Sequence, residues 1–529
     1  MNYQLKLEEI LKQIEGTPKL LLHACCGPCS SYVLEYLSNY FEITILYYNP
    51  NIYPNIEYQR RLNELKKFLS KINYKNPVKL VETRYEPIEF YNSVKGLELL
   101  GEKSKRCYAC YKLRLEEAAN YAKEHNFDYF TTTLSISPYK VSEWINEIGE
   151  ILESKYKVNY LYADFKKNNG YKRSLELSKE YNLYRQEYCG CSFSKQKREQ
   201  MIKENNHIKD LITKVCCMYN LGELINVSGR QKGGITNKVY KFITTTGSYI
   251  IKILYSNKIE EIETSEEIAS IAINNGVNAI GAIKCNDKYI NTIENIYFLV
   301  YPYFDGKILL TRELSLEHVR KLARELSKLH SIDCNVEKSR VIYPKINYLK
   351  YYELTKNSNE ECYKLFNWNI DNLIKLYDKV CNSYLNLSNQ VSYIHRDFNR
   401  KNILWQDIDN FKIIDFETAT IGNPSIDFFN SAWFLTNDIQ KDKFKVFAEE
   451  YFKNMNLLDN YQIGVYAALI EECNWLEFSL KRSLNIISCT NEEINLGKDS
   501  IESSLTEILN YNKKIELILK LLKEINDTK

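Results

Sequence analysis

Short apolar runs alternate with amphipathic segments along the first 200 residues of the chain. The runs KLLLHA, EITILYYNP, PVKLVETRY and FDYFTTTL have the length and the β-branched or aromatic content of buried strands. The segments SSYVLEYLSNY, EYQRRLNELKKFLSKI and CYKLRLEEAANYAKEH lie between or after them and repeat their apolar residues at helical spacing. This alternation predicts a parallel α/β sheet sandwiched between helices, with ligands at the carboxyl ends of its strands.

The pattern changes near residue 222. The segment INVSGRQKGGITNKVYKFITTTGSYIIKIL is typical of antiparallel strands joined by Gly-containing turns, and NIYFLVYPYF is a further strand. From Ser315 onward helical patterns dominate. These features predict a bilobal α+β domain with a small β-rich lobe before a helical lobe. The stretch before it is polar and helix-prone, so we predict a first domain at 1–200, a linker at 201–221 and a second domain at 222–529.

Composition narrows the class of protein without identifying a function. The chain has 529 residues, of which 44% are hydrophobic and 26% charged, so it is neither globally disordered nor fibrous. Residues 1–220 carry 33 Lys and Arg against 27 Asp and Glu, which is compatible with a polyanionic partner. The amphipathic N-terminus lacks the apolar core of a signal peptide, and no apolar run approaches the ~20 residues of a membrane span. We therefore expect a cytoplasmic protein with no membrane partner.

Seven of the 15 cysteines fall into three tight groups before residue 195. A reducing compartment disfavours structural disulfides, so such groups indicate metal or redox chemistry. The first group follows a strand, the second begins a helix whose N-terminus stabilises thiolates, and the third has a Cys-Gly-Cys spacing that permits a small-ring disulfide. The groups are Cys25, Cys26 and Cys29; Cys107 and Cys110; and Cys189 and Cys191.

Two kinds of metal site remain open from the spacing alone. A structural zinc site would use four of these thiols and leave three without a role. An iron–sulfur site held by four thiolates, with an accessory redox pair, would use six or seven.

The segments HACCGPCSS, YYNPNIYPNIEYQRRL, CYACYKLRL and YCGCSFS resemble those of the QueH-type epoxyqueuosine reductases, in the family's order over about residues 18–195. The resemblance implies an α/β fold of the adenine-nucleotide α-hydrolase kind, a [4Fe-4S] cluster and the reduction of epoxyqueuosine in tRNA to queuosine. It also implies the metal ligands Cys25, Cys26, Cys107 and Cys110, a redox-active pair formed by Cys189 and Cys191, and Cys29 as the candidate ligand of an additional iron.

The reaction that this resemblance implies adds two partners, an electron donor of unknown identity and the tRNA itself. Removing an epoxide oxygen to leave an alkene takes two electrons and protons. Basic residues of the first domain are candidates for steering the tRNA phosphates. They are Arg60, Arg61, Lys66, Lys67, Lys103, Lys105 and Arg106.

The second domain contains an H-x-D-x-x-x-x-N motif at residues 395–402, and Asp415 follows thirteen residues after its Asn. This is the layout of a kinase-like phosphotransferase, in which Asp397 would orient or deprotonate the attacking hydroxyl. Asn402 and Asp415 would hold Mg²⁺. Upstream, Gly233 and Gly234 would cover the ATP phosphates, Lys252 would contact them and pair with Glu266 or Glu267, and YPYFDG (301–306) would be the hinge against adenine.

The segments GGITNKVYKF, LSKLHSID, HRDFNRKNILW and IDFETATIGNPSIDF resemble the aminoglycoside phosphotransferase/choline kinase family over about residues 222–485. The resemblance implies that ATP and Mg²⁺ are cofactors and that the acceptor is a small hydroxylated molecule. Trp433 and Trp475 are candidates for an aromatic cage around a quaternary amine.

The leading hypothesis is therefore a fusion of a tRNA-modifying epoxyqueuosine reductase with a small-molecule kinase. One alternative is a redox-sensing iron–sulfur protein with a pseudokinase adaptor domain, against which the intact kinase residues argue. Another is a zinc-stabilised nucleic-acid-binding module, which the iron content of anaerobically purified protein would distinguish.

Overall fold

The computed structural model describes residues 2–230, 237–255, 258–334, 343–358, 360–487, 489 and 491–527. The chain divides into two compact units, Met1–His207 and Ile208–Lys529. Among the helices of the described ranges, none has the length and hydropathy needed to cross a lipid bilayer.

The first unit is built on a five-stranded parallel sheet in the order β3-β2-β1-β4-β5. Its strands are β1 Lys19–His23, β2 Glu42–Tyr47, β3 Val78–Glu82, β4 Tyr129–Thr132 and β5 Asn159–Tyr160. Its helices are α1 Tyr3–Lys12, α2 Gly27–Leu37, α3 Asn55–Leu69, α4 Pro87–Ser93, α5 Lys105–Glu124, α6 Ser142–Tyr156 and α7 Gly170–Glu180, and α8 Ser192–Met218 begins here. The predicted parallel α/β fold is confirmed; β5, with two residues, is too short to have a periodic signature.

The central strand explains why the chemistry collects at one edge of this sheet. Leu20, Leu21 and Leu22 of β1 are fully buried, because helices cover both faces of the sheet. In register, His23 at the end of β1 lies beside Leu46 of β2 and Thr132 of β4. The loops that follow β1, β2 and β4 therefore leave the sheet on the same side, as expected for parallel strands.

The second unit opens with a five-stranded antiparallel sheet in the order β6-β7-β8-β10-β9 and continues into a helical lobe. Its strands are β6 Leu224–Arg230, β7 Lys238–Thr244, β8 Ser248–Leu254, β9 Asn291–Ile293, β10 Ile296–Pro302, β11 Ser392–Ile394, β12 Ile403–Trp405, β13 Phe411–Ile413 and β14 Thr420–Gly422. Its helices are α9 Ile259–Asn274, α10 Leu316–Ser331, α11 Tyr348–Ser358, α12 Glu360–Leu385, α13 Pro424–Leu435, α14 Lys441–Tyr451, α15 Tyr461–Ser483 and α16 Asn491–Asp527. The predicted bilobal α+β domain is confirmed.

The segment proposed as a linker is helical for most of its length. Helix α8 runs from Ser192 to Met218, and its residues from Ile208 onward pack in one apolar cluster with strands of the antiparallel sheet. The boundary between the compact units falls at His207 and Ile208, within the predicted linker of 201–221. The three-part division of the chain stays a prediction.

Candidate active sites

The first cysteine group lies in the turn between β1 and α2. Cys26 has extended backbone angles, with φ −171° and ψ 163°, and Pro28 starts the helix. This turn brings Cys29 back toward the strand end, so the sulfur atoms of Cys25, Cys26 and Cys29 all lie within 4.8 Å of one another. Cys25 Sγ and Cys26 Sγ are 3.8 Å apart. The geometry makes this group the clearest candidate for metal ligation in the described part of the chain.

The three thiols differ in the direction in which their pKa values are shifted. Hydrogen bonds from Cys26 and Cys29 hold the pKa of Cys25 well below its usual range. The hydrogen bond with Cys25 raises the pKa of Cys26 to about 12, and hydrogen bonds with Cys25 and Cys26 raise the pKa of Cys29. Gln186 also donates from Nε2 to Cys26 Sγ at 3.2 Å. The group therefore stabilises one thiolate, the form of cysteine that binds metals.

The second cysteine group lies in the first two turns of α5. Ser104 caps this helix by accepting a hydrogen bond from Arg106 N at 3.3 Å. Cys110 is buried, and this burial raises the pKa of its thiol to about 12. It belongs to a small apolar cluster with Phe90, and Cys191 packs against the same cluster. The second and third cysteine groups are thus neighbours.

All three groups meet at one pocket of about 280 Å³. Cys29, Cys107, Cys189 and Cys191 all line it. These residues lie in separate segments of the sequence, and the structure brings a member of each cysteine group to the wall of one pocket. Lys140, which no sequence argument singled out, also lines this pocket.

A buried arginine beside the cysteines tests whether an anionic cluster would fit. Arg114 is 2% exposed, and its Nε donates to Cys110 O at 3.2 Å. Its Nη2 is buried without an acceptor among the described atoms. Its charge interacts with Cys110, Cys189 and Cys25. Because a buried cation needs a nearby anion, a thiolate-ligated cluster at these cysteines fits the site.

Two of the basic residues that were predicted to steer the tRNA phosphates are buried. Arg61 is 1% exposed and forms an ion pair with Glu57 at 2.7 Å, so it cannot lie against a tRNA backbone. Arg106 is also buried; its Nη1 donates to Glu98 O at 2.8 Å, and it contributes to the pocket wall. Both belong to amphipathic helices, where an arginine is ordinarily expected on the solvent side.

The second candidate site lies in the kinase-like unit, at the loop between β11 and β12. Asp397 accepts a hydrogen bond from Asn402 Nδ2 at 2.8 Å and another from Asn399. Solvent reaches this carboxylate, yet the surrounding protein desolvates it enough to raise its pKa. Backbone N–H groups of His395 and Arg396 donate to the buried Asp427, at 2.7 and 3.0 Å. These two hydrogen bonds to Asp427 therefore fix the backbone of the loop that carries Asp397.

Asp415 follows β13 and faces Lys252 of β8. Lys252 Nζ lies 2.8 Å from Asp415 Oδ1 and 2.8 Å from Glu417 Oε1. Burial acts to raise the pKa of Asp415, but the ion pair with Lys252 outweighs it and the pKa is lowered. Ile414 N donates to Asn402 O at 2.9 Å, which connects this strand end to the loop that carries Asp397. Lys252, Asp397, Asn402 and Asp415 thus form one polar site.

The predicted partner of Lys252 is replaced by another carboxylate. Among the described residues, Glu266 accepts from Tyr301 OH and from Ala282 N, and Glu267 pairs with Lys284 at 2.9 Å. Glu417, the last residue of the DFE triplet, takes the contact instead. Tyr301, placed by sequence at the adenine hinge, thus directs its hydroxyl to Glu266. Gly233 and Gly234 lie outside the described residues.

The aromatic-cage interpretation is wrong for Trp433. This residue is 3% exposed, donates from Nε1 to Glu507 at 2.8 Å and packs against Tyr511 in the helical core. Trp475 differs, because it is 39% exposed and its ring lies tilted against that of Phe478. Apolar spacing along a helix could not separate these two tryptophans.

Comparison with known proteins finds two family matches, in separate parts of the chain. Residues 20–197 match the family model "Epoxyqueuosine reductase QueH", and residues 230–461 match that of the phosphotransferase enzyme family. The epoxyqueuosine reductase QueH of Staphylococcus epidermidis is 44% identical over 213 residues, which cover 39% of this chain and 90% of the relative. The one from Thermotoga maritima is 34% identical over 197 residues, covering 36% of this chain and 98% of the relative.

Two solved structures illustrate the second half. Spectinomycin phosphotransferase APH(9)-Ia with ADP and spectinomycin is 15% identical, at a TM-score of 0.46, and covers 57% of this chain and 98% of its own. Choline kinase LicA from Streptococcus pneumoniae is 16% identical, at a TM-score of 0.39, and covers 58% and 100%. At these TM-scores the likeness adds nothing to the family match. The chain belongs to the epoxyqueuosine reductase QueH family, and its residues 230–461 resemble the phosphotransferase enzyme family.

Proposed function

We propose that residues 1–200 reduce the epoxide of epoxyqueuosine in tRNA to queuosine. The observation that carries this proposal is the single pocket lined by Cys29, Cys107, Cys189 and Cys191. The names of the relatives indicate the substrate. The pocket offers a site in which a nucleoside can bind beside the cysteines. Clustered reduced thiols need a reducing compartment, so we place the reaction in the cytoplasm.

A [4Fe-4S] cluster would be held by Cys25, Cys26, Cys107 and Cys110, with Cys29 available to an additional iron. Support comes from the low pKa of Cys25 and from the buried, unpaired Nη2 of Arg114, both of which suit an anionic centre. When bound, such a cluster supplies electrons one at a time. Burial of Cys26 and Cys110 keeps water away from these ligands.

The pair Cys189 and Cys191 would supply the second redox centre. Breaking both epoxide C–O bonds and forming one C=C bond takes two electrons and two protons, and the oxygen leaves as water. Two thiols that become a disulfide release two electrons and two protons, so the balance closes. An external electron donor then reduces the disulfide. Both cysteines are free thiols in the structure, and Cys189 is exposed to the pocket.

We propose that the second domain transfers a phosphoryl group from ATP to a small hydroxylated molecule. Asp397 would orient the acceptor hydroxyl, Asn402 and Asp415 would hold Mg²⁺, and Lys252 would contact the nucleotide phosphates. Support comes from the hydrogen bond between Asn402 and Asp397 and from the ion pair between Lys252 and Asp415. The backbone hydrogen bond from Ile414 N to Asn402 O holds these two pairs next to each other. Choline and ethanolamine are the first acceptors to assay, followed by aminoglycosides and sugars.

The direct test of the reductase is anaerobic incubation of the full chain with epoxyqueuosine-containing tRNA and a chemical reductant. Nucleoside mass spectrometry of the digested tRNA should show queuosine formed at the expense of its epoxide. An iron-loaded protein that leaves the epoxide untouched, while a relative from the same family converts it, would refute the proposal.

Replacing Cys189 by serine should separate the redox pair from the cluster. We expect Cys189→Ser to keep its iron and sulfide, while turnover falls by more than about 100-fold because no disulfide can form. Iron analysis and the tRNA assay measure the two quantities on one sample. Cys217→Ser, which removes an exposed thiol of α8, is the control and should match wild type in both. Loss of iron from Cys189→Ser would make this residue a ligand instead.

A further inference from the structure

Helix α3 carries a buried arginine for which the chemistry above has no role. Arg61 donates from Nε to Glu57 Oε1, one turn earlier, at 2.7 Å. Its two terminal nitrogens point to the Cys-Gly-Cys loop: Nη1 donates to Cys189 O and Nη2 to Tyr188 O, each at 3.2 Å. Each nitrogen of the guanidinium thus has an acceptor, and two of the three acceptors are main-chain oxygens beside a reactive thiol.

The next carbonyl of the loop, that of Gly190, also accepts a hydrogen bond. Tyr53 N donates to Gly190 O at 2.8 Å, and Tyr188 OH donates to Tyr53 O at 2.5 Å. Gly190 has a φ of +135°, and a Cβ there would come within 3.2 Å of Arg61 Nη1. Glycine is needed because the backbone lies this close to the guanidinium. Three successive carbonyls therefore accept hydrogen bonds from residues 53–61.

The second thiol of the pair has a different anchor. Ser194, in the first turn of α8, donates from its backbone N to Cys191 Sγ at 3.4 Å and from its hydroxyl to Cys191 O at 2.9 Å. Cys189 is held by α3 and Cys191 by α8. Both are free thiols, so these hydrogen bonds hold the dithiol arrangement, in which the two cysteines are anchored separately.

We propose that Arg61 is a positioning residue that holds the Cys189 main chain in its dithiol conformation. This inference rests on the proposed redox role of Cys189 and Cys191. Hydrogen bonds from a buried cation are strong, because the surrounding interior screens them weakly. Since they favour the dithiol, they shift the thiol–disulfide equilibrium toward the reduced pair and make its disulfide easier for the electron donor to reduce.

The planar fork of arginine suits this task, because it reaches two successive carbonyls while it keeps its carboxylate partner. Lysine offers one compact charge and cannot make both contacts with a fixed geometry. Arg61→Lys therefore removes the paired hydrogen bonds to the carbonyls of Tyr188 and Cys189 while keeping the positive charge beside Glu57. Arg173→Lys is the matched control, since Arg173 of α7 pairs with a carboxylate in a similar way, with Glu35 at 2.6 Å, but lies on the surface and does not line the pocket.

The test equilibrates the full-length, iron-loaded protein with glutathione buffers under anaerobic conditions. Alkylation and peptide mass spectrometry then measure the fraction of Cys189–Cys191 disulfide. For Arg61→Lys we expect a disulfide about tenfold more stable than in wild type, a potential about 30 mV more negative, with iron content unchanged. Turnover with epoxyqueuosine-containing tRNA should fall through kcat, with KM unchanged. Arg173→Lys should match wild type throughout.

Glu57→Gln provides a second variant should Arg61→Lys fail to fold. It keeps the guanidinium but weakens the contact that orients it, so we expect a smaller shift in the same direction. An equilibrium equal to that of wild type in the folded variant would overturn the inference. Loss of iron along with activity would also overturn it, because Arg61 would then support the cluster. Wild-type protein that forms no Cys189–Cys191 disulfide at any glutathione ratio would instead refute the redox pair, and the positioning role with it.

Discussion

Cys107→Ser should strip the first domain of its iron, its visible absorbance and its reductase activity together. A cluster that loses one of four thiolate ligands is exposed to solvent and oxidant, and serine is a poor substitute for a soft ligand. Cys107 lies at the start of α5 and lines the pocket. We expect iron and sulfide to fall to background and turnover to become undetectable.

This experiment discriminates between two ways of using the cysteines. The sulfurs of Cys25, Cys26 and Cys29 are already within 4.8 Å of one another, so they are able to bind a single metal ion without α5. In that case Cys107→Ser would retain the metal content of the wild-type protein, and the four-ligand assignment would be wrong. Cys29→Ser is the companion variant: by our assignment it keeps the cluster and loses only an additional iron. Cys217→Ser again serves as the control.

Asp397→Asn should cut phosphoryl transfer on the order of 10²- to 10⁴-fold while ATP still binds. Asparagine keeps the shape and the contact with Asn402 but cannot draw the proton from the acceptor hydroxyl. Asp415→Asn should act differently, because Asp415 lies 2.8 Å from Lys252 and is the proposed Mg²⁺ ligand. We expect it to weaken binding of the Mg²⁺–nucleotide itself. Steady-state kinetics together with nucleotide binding by calorimetry separate the two effects.

The matched control for these variants is Asp409→Asn. Asp409 lies in the exposed turn between β12 and β13 and pairs with Lys321 on the surface. It should leave both kcat and nucleotide affinity unchanged. Wild-type protein that binds no ATP at millimolar Mg²⁺ would favour the pseudokinase alternative and would end the phosphotransferase assignment.

The two proposed chemistries should also be separable in one preparation. Their residues lie in different compact units, and the described cysteines of the first site have no counterpart near Asp397. Chelating Mg²⁺ should abolish ATP consumption and leave epoxide reduction by a fixed chemical donor intact. Reduction that falls in parallel with ATP use would show that the domains depend on each other.

Local patterns were sufficient for the parts of this protein that depend on neighbours in sequence. The alternation of strands and helices predicts the parallel sheet, since burial on both faces leaves continuous apolar runs such as that of β1. The motif at residues 395–402 was recognisable in the sequence, because Asp397 and Asn402 interact across one short turn. The cysteine groups were recognisable for the same reason: their members are close in the chain.

Contacts between distant segments required the tertiary structure. Their places in the sequence suggested that Lys252 pairs with Glu266. In the structure Lys252 pairs instead with Glu417, which follows β13, at 2.8 Å, and Glu266 accepts a hydrogen bond from Tyr301. Arg61 and Trp433 show the same limit. Spacing along a helix says which residues share a face, but the exposure of that face depends on what packs against it. For Arg61 the packing partner is a loop more than 120 residues away, whose carbonyls no pattern in the sequence connects to α3.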